Sequence, residues 1–422
     1  MTTQDKTQEL LQLLTKAQDL AQDLAQDLTS SNTLDLKTQA HLTQLSKTLH
    51  QTLQPPVARI ADIIQSPYQL GVLATALEAG WLRHLHAAGP QGLTIDQLAS
   101  KSSPSPSLTL RLIRYLTSAN LLTQHPPSSS SSEITSSTSP VTSLLTLSPG
   151  LASGINHAVH CYALPVSKMP EYFQKHGYNE PSGPESCLYS YAYGRSHWEA
   201  TTQDEEIAKW FDEFMAMATF SGKFWGDVYD VAKLGVQVEG GEEDGVGEGI
   251  MLIDVGGGRG HELEKLARMK KKLGLKGKLI LQDRKEVIEQ VPEGWRGLFD
   301  ERVVHDFFGP QEKKFWGART YYMRKIMHDW TDVHCSTILS HLRDAMKPGY
   351  STLLINDIVV PERDCQLRTA SLDLIMLTVC AGKQRTEKEW HELVGGVKGL
   401  QIVKVWPLEE SGESVIEVVR GD

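Results

Sequence analysis

Two groups of residues carry the chemistry legible in this chain. His328 stands just beyond an apolar run at 320–323, and Asp357 ends another at 352–358. If the two runs are neighbouring strands, an imidazole and a carboxylate share one sheet edge. An imidazole held by a carboxylate at one nitrogen keeps its other nitrogen as a general base near neutral pH. The second group is acidic. Asp254, Asp283 and Asp306 each stand at or just after the end of a strand-like run, and Asp254 is followed by Gly256-x-Gly258-x-Gly260. Glycines at a strand-to-helix turn can take positive φ and present bare N–H groups beside a helix N-terminus, which suits an anionic or carboxylate-bearing ligand. An acid at the end of the next strand is placed to accept hydrogen bonds from ribose hydroxyls. Asp306 is placed for an adenine amino group, with Phe307 to cover the base. Three acids at three successive strand ends point to a nucleoside site.

The elements that must position these residues follow from periodicity. Strand candidates fall at Ile250–Val255, 278–282, 302–304, 320–323, 352–358, 402–406 and 414–419. Helical stretches separate most of the first six, which is the signature of βαβ units and a parallel sheet. The last two are joined by a tight polar turn at 409–412, which implies one antiparallel hairpin at the sheet edge. The helix expected after the glycines has Leu263, Leu266, Ala267 and Met269 at helical spacing.

Upstream, Ala-Gln-Asp-Leu occurs three times from Ala17 and sets Leu20, Leu24 and Leu28 on one stripe, either a docking arm or a terminal helix. Short helices are expected at 68–82, 94–99 and 108–122, the last with Leu108, Leu112 and Leu116 aligned. This order fits a winged-helix module. The Ser-rich stretch at 126–140 then reads as a loop at the tip of a wing-like hairpin. Between 160 and 235 the chain is rich in Met and aromatic residues, among them Trp210, Phe211, Phe214, Met215 and Met217. They are ordinary core or the wall of a pocket for a flat ligand. An acidic, Gly-rich stretch at 239–249 marks the last domain boundary.

Composition removes several classes of function. The chain has 422 residues, enough for two or three domains, and a net charge of -10 that argues against nucleic-acid binding. No apolar segment has the length of a membrane span, and no secretory or transit signal is read at the start, so the expectation is a cytoplasmic protein. Five widely spaced cysteines show no zinc-type spacing, so no metal is expected.

Taken together, Asp254-Val-Gly-Gly-Gly-Arg-Gly, Asp283, Asp306-Phe307, His328-Asp-Trp-Thr-Asp, Ile355-Asn-Asp-Ile-Val-Val-Pro and Gly382-Lys-Gln-Arg-Thr resemble the S-adenosylmethionine-dependent O-methyltransferases of the caffeic-acid/flavonoid type, in their fungal branch. The order and spacing match from roughly residue 55 to 420. The resemblance implies an α/β fold, a class I methyltransferase Rossmann-like sheet with an antiparallel last strand, plus an N-terminal helical, winged-helix domain that dimerises. It divides the chain into an arm (1–54), a dimerisation domain (55–155), helices that form part of the substrate pocket (156–235) and a catalytic domain (236–422). It implies S-adenosylmethionine as cofactor. Asp254, Gly256 and Gly258 would meet it, Asp283 its ribose, and Asp306 and Phe307 its adenine, while Arg324 stands where the family usually has lysine. His328 matches the family's base, and Asp357, in place of the usual Glu, is the first of two acids that hold it. Gln384 occupies the place of the second. Phe214, Met215, Trp330, Asp373 and Met376 are the expected substrate wall.

The reaction implied is methyl transfer to a phenolic or enolic hydroxyl of an aromatic or polyketide-like metabolite by a cytoplasmic homodimer. Rival readings are a methyltransferase-fold lyase or pericyclase that keeps the cofactor without moving its methyl, a winged-helix regulatory or binding protein, and an NAD-dependent oxidoreductase. The glycine spacing lacks the x-x-Gly ending that the oxidoreductase would need.

Overall fold

The computed structural model describes residues 8, 11–18, 36–102, 104–127, 133–217, 224–236, 249–408 and 412–421. Leu20, Leu24 and Leu28, the five serines at 128–132, most of the acidic linker and most of the polar turn before the last strand lie outside the described residues. The chain forms two compact units, Met1–Thr75 and Ala76–Asp422.

In the first unit residues 11–18 are helical, followed by α1 (Leu36–Leu53) and the start of α2 (Pro56–Glu78). Proline at the first position of α2 has no N–H to lose there, and its fixed φ suits a helix start. Val57, Ile60, Ile64 and Tyr68 form an exposed apolar stripe along α2 at spacings of three and four residues.

The second unit begins with α3 (Trp81–Ala88), α4 (Ile95–Ser100) and α5 (Pro106–Ser118), then an antiparallel hairpin of β1 (Leu122–His125) and β2 (Thr135–Thr138). Thr94 starts α4 with a reciprocal capping box to Gln97. Two expectations change here. The single helix expected at 68–82 is two helices, divided at Gly80, whose φ of 73° breaks the α2 pattern. The helix expected at 108–122 stops at Ser118, because Asn120 adopts φ 55° and Leu122 opens a strand. The buried face of α5 is Thr109, Ile113 and Leu116, with Leu108 exposed, so the Leu108–Leu112–Leu116 row is not the core-facing one.

A helical layer follows: α6 (Pro140–Leu147), α7 (Pro149–His157), a π-helical turn at Ala158–Ala163, α8 (Leu164–Lys175), α9 (Leu188–Tyr193), α10 (His197–Gln203) and α11 (Glu205–Met217). α7 and α11 lie close because Gly150 and Gly154 offer no side chains. A Cβ at Gly154 would meet the Phe214 ring at 2.6 Å, and one at Gly150 would strike Met217 and the Glu213 carbonyl.

The rest of the chain alternates strand and helix: β3 (Ile250–Val255), α12 (His261–Leu273), β4 (Lys278–Asp283), α13 (Lys285–Ile288), β5 (Glu301–Val304), β6 (Thr320–Arg324), α14 (Asp332–Ala345), β7 (Thr352–Val360), α15 (Leu367–Cys380), β8 (Arg385–Thr386), α16 (Glu387–Gly395), β9 (Leu400–Pro407) and β10 (Glu413–Arg420). The sheet order is β5-β4-β3-β6-β7-β10-β9, with β8 paired to β7. The neighbours from β5 through β7 pair in parallel, and β10 is antiparallel to both β7 and β9. The hairpin is therefore folded back, with β9 at the edge and β10 inside it. Side chains alternate between two cores. Ile253, Tyr321, Leu353 and Ile416 enter one, and Leu252, Tyr322, Leu354 and Val415 the other. Each buried aliphatic contributes about 1.5–3 kcal/mol. Burial on both faces is why the strands read as continuous apolar runs. The strand order turns outward in both directions from β3 and β6, and in open α/β sheets ligands bind at the carboxyl ends beside such a point.

Candidate active site

The glycine turn sits beyond β3. Gly256 and Gly257 donate their N–H groups to the Gln282 carbonyl, and Gly258 donates to Asp283 Oδ2 at 2.7 Å. Gly258 has φ 61°, and a Cβ there would meet nothing within 4 Å, so this stretch of backbone faces open space. Gly256 has φ 71° and is closed in instead, since a Cβ would press on Ile326 at 2.8 Å. Asp283 also accepts from the Arg284 N–H at 2.7 Å. Asp306 closes a turn by accepting from the Phe308 N–H at 2.9 Å, and Phe307 lies along Gly256.

Asp254 is fully buried, and its Oδ2 has no partner among the described residues. Burial first, then the nearby Glu262 and Asp283 carboxylates, push its pKa well above the usual range. A buried acceptor without a donor, beside further acids and a glycine cradle open at Gly258, fits a ligand that carries positive charge and donor groups. An aminoacyl sulfonium nucleoside has both.

Arg324, at the end of β6, is turned toward the sheet. It forks onto Glu413 at 3.0 and 3.1 Å and lies 3.7 Å from Glu262, while Lys325 reaches Glu413 at 3.1 Å. The guanidinium thereby fastens the start of β10 to the carboxyl end of β6.

The short turn Met327–Asp329 presents His328. Its Nδ1 is 3.1 Å from Asp357 Oδ1, and its backbone N–H donates to the other Asp357 oxygen at 3.2 Å. Asp357 is fully buried and also accepts from the Ile358 N–H. Strand β7 runs three residues past Asp357, to Val360, and pairs there with β8, Val359 opposite Arg385. That pairing delivers Gln384. Its side-chain amide lies 3.0 Å from His328 Nδ1, and its backbone N–H donates to Asp373 at 2.8 Å. The amide nitrogen faces Nδ1, while Oε1 has no partner among the described residues. Asp357 already takes the Nδ1 proton, so the amide in its other sense, with Oε1 as a second acceptor, satisfies both groups.

The opposite nitrogen is not bare. Asp329 Oδ1 lies 3.5 Å from Nε2. Burial pulls the imidazolium down, but Asp357 and Asp329 outweigh it and raise His328 to about 9. Asp329 is held up at about 6, by burial first and then by Asp357. Burial pushes Asp357 up, but the His328 charge, the hydrogen bonds from His328 and the Ile358 N–H, and the Arg385 charge together hold it below its ordinary value.

Two residues of the Gly382-Lys-Gln-Arg-Thr stretch, whose roles the sequence does not show, build this turn. Arg385 is wholly buried and donates to the Met327 and Trp330 carbonyls at 2.9 Å and to Asp332. Gly382 lies so close that a Cβ would strike the His328 carbonyl. Arg385 lies three residues beyond Gly382, and no spacing in the sequence marks the contacts that either makes.

The expected substrate wall divides in two. Trp330 packs edge-on to Phe308, ring centroids 4.7 Å apart, and stacks at 5.7 Å on Trp198 of α10. Asp373 holds the Gln384 backbone, and the Met376 carbonyl accepts from the Gly382 N–H at 3.1 Å. Phe214 instead packs on α7 near the His157 ring, and Met215 is 39% exposed. Phe211 links the two parts, 5.7 Å from His157 and 6.1 Å from Trp198.

Comparison with known proteins bears on the family of the chain. Residues 242–399 match the O-methyltransferase domain model, and residues 62–148 match the O-methyltransferase dimerisation domain model. The O-methyltransferase mfmE of Annulohypoxylon moriforme is 30% identical over 343 residues, 79% of this chain and 78% of that protein. The methyltransferase cfoC of Aspergillus candidus is 37% identical over 258 residues, 60% of this chain and 61% of that protein. Among solved structures, the LepI complex with SAM has a TM-score of 0.79 at 21% identity, covering 99% of this chain and 100% of that one. A pericyclic-reaction enzyme has a TM-score of 0.78 at 22% identity, covering 99% and 100%. The chain belongs to the O-methyltransferase family, whose cofactor is S-adenosylmethionine.

Proposed function

We propose that the protein methylates a phenolic or enolic hydroxyl of an aromatic or polyketide-like metabolite, with His328 as the base. The observation that carries this reading is the 3.1 Å contact between His328 Nδ1 and the buried Asp357, which fixes the ring by one nitrogen and leaves Nε2 as the one to meet an acceptor. When bound, S-adenosylmethionine supplies a sulfonium methyl for in-line displacement. Asp254, the Gly256–Gly258 turn and Asp283 would hold it, with Asp306 and Phe307 available to the adenine. Trp330 and Trp198 give a flat acceptor an aromatic wall. The acceptor hydroxyl takes the place of Asp329 at Nε2 and yields its proton there, and Gln384 keeps the ring oriented. Most of the rate gain comes from positioning, since a phenol of pKa near ~10 needs little activation.

The test is incubation with a methyl-labelled donor and a panel of phenols. Label should enter an acceptor, and His328→Ala should cut turnover by ~10²-fold or more with cofactor affinity unchanged. Tight cofactor binding with no labelled acceptor, or full turnover in His328→Ala, rejects the proposal.

A second reading is favoured by one feature. With His328 near 9, the free enzyme at neutral pH holds an imidazolium, a hydrogen-bond donor suited to polarising a carbonyl in a pericyclic or lyase reaction while the cofactor stays intact. The fold shared with a pericyclic-reaction enzyme accords with it. Product formed at equal rate with S-adenosylhomocysteine in place of the methyl donor would select this reading.

We further infer that residues 55–155 form a winged-helix dimerisation domain, that 1–54 act as a docking arm, that 156–235 cap the acceptor, and that 236–422 bind the cofactor. The work is done in the cytoplasm by a homodimer without nucleic acid. The net charge of -10 supports the last point, and among the described residues no helix is long and apolar enough to cross a membrane.

A further inference from the structure

Outside the cofactor edge, the helical layer holds a second convergence of reactive side chains. His157 ends α7, Cys161 lies in the π-helical turn that follows, and His197 opens α10. All three are buried, and one ligating atom from each lies within 4.8 Å of the other two. The two Nε2 atoms are 3.0 Å apart, with the rings nearly perpendicular at 83°. The wider turn of a π-helix brings residues four apart, here His157 and Cys161, onto one face, and such turns are concentrated at functional sites.

We propose that His157, Cys161 and His197 bind one divalent cation of the zinc class. Two imidazole nitrogens and one thiolate are a borderline-soft donor set, and three protein ligands leave a fourth position open. The imidazoles are already in the ligand form. Burial holds His157 down at about 4 and His197 at about 3, so both are neutral with a lone pair to give. The outer support is partly present, because the other nitrogen of His157 is 3.0 Å from the Tyr162 hydroxyl, the arrangement that fixes ring orientation around a bound metal. Without a cation the two histidines share a single Nε2–H···Nε2 bond, and His197 Nδ1 has no partner among the described residues. Burial keeps the Cys161 thiol protonated, at about 12, so it becomes a ligand only by yielding its proton to solvent as the ion enters. The balance is one proton released per ion bound, and the pocket changes from neutral to a charge of plus one. The expectation of no metal rests on the lack of zinc-type spacing among the cysteines, and His197 is remote along the chain from the His157/Cys161 pair.

Titration of the full-length protein with Co²⁺, in the absence of methyl donor and acceptor, tests the site without reference to the reaction. The expected result is a near-ultraviolet thiolate-to-cobalt charge-transfer band that saturates at one equivalent, releases one proton and is discharged by Zn²⁺. Cys365→Ser, which removes the exposed cysteine, should keep the band. Cys161→Ser should abolish it, and His197→Ala should weaken binding at least about tenfold. No charge-transfer band in the unaltered protein, or one that survives in Cys161→Ser, overturns the proposal. The unaltered protein decides the matter even where a variant fails to fold.

Discussion

At the scale of single residues, the state of His328 depends on which carboxylate faces which nitrogen. Asp357 at Nδ1 orients the ring, whereas Asp329 at Nε2 competes with any acceptor for the same atom. Both stabilise the protonated form. With His328 near 9, roughly one molecule in a hundred carries the free base at pH 7, and the fraction grows as pH rises. The methylation rate should therefore climb from pH 7 toward 9. Asp329→Asn removes the charge beside Nε2 and should move that rise to lower pH by about one unit. A pH–rate series on both proteins decides it, and coincident profiles would mean that Asp329 does not set the titration. Gly382 gives a steric prediction. A methyl there meets the His328 carbonyl, so Gly382→Ala should cost about 1–3 kcal/mol in thermal or urea unfolding and depress turnover. His328 and Asp357 were legible in the sequence because each follows or lies within a recognisable apolar strand. Gly382 and Arg385 stand in the stretch that carries the resemblance, but their roles were not legible, since these arise from contacts across more than fifty residues.

At the scale of elements, the strands were the most legible part. Residues facing two cores make continuous apolar runs bounded by turns, and all seven candidates correspond to strands of the main sheet, with ends differing by a few residues. The two-residue β8 was not visible, because its pairing with β7 is a matter of register rather than composition. It is also what carries Gln384 to His328. The helices were less legible. Leucine spacing on α5 suggested a face that the fold leaves partly exposed, because Thr109 and Ile113 outcompete Leu108 for the interior. The close approach of α7 and α11 through Gly150 and Gly154 was likewise unread, although it sets where Phe214 lies.

At the scale of the molecule, the exposed stripe of Val57, Ile60, Ile64 and Tyr68 is an apolar face of the kind that marks an association surface. The dimerisation-domain match begins within it, at residue 62. Ile60→Glu combined with Ile64→Glu should convert a dimer to a monomer in light scattering while leaving the circular dichroism of the sheet intact. An unchanged dimer would place the interface elsewhere. At this scale composition supplied only an expectation, that a net charge of -10 disfavours nucleic acid as a partner.

The position of β10 also bears on how the protein comes into being. Because it lies between β7 and β9 and brings Glu413 to Arg324, the carboxyl edge of the sheet beside β6 is incomplete until a strand some 160 residues downstream of the glycine turn has been inserted. Such a late, non-local closure makes folding slow. Until it happens, a nascent chain exposes the unpaired edge of β7, the kind of surface that chaperones shield and that crowded ribosomes cause to aggregate.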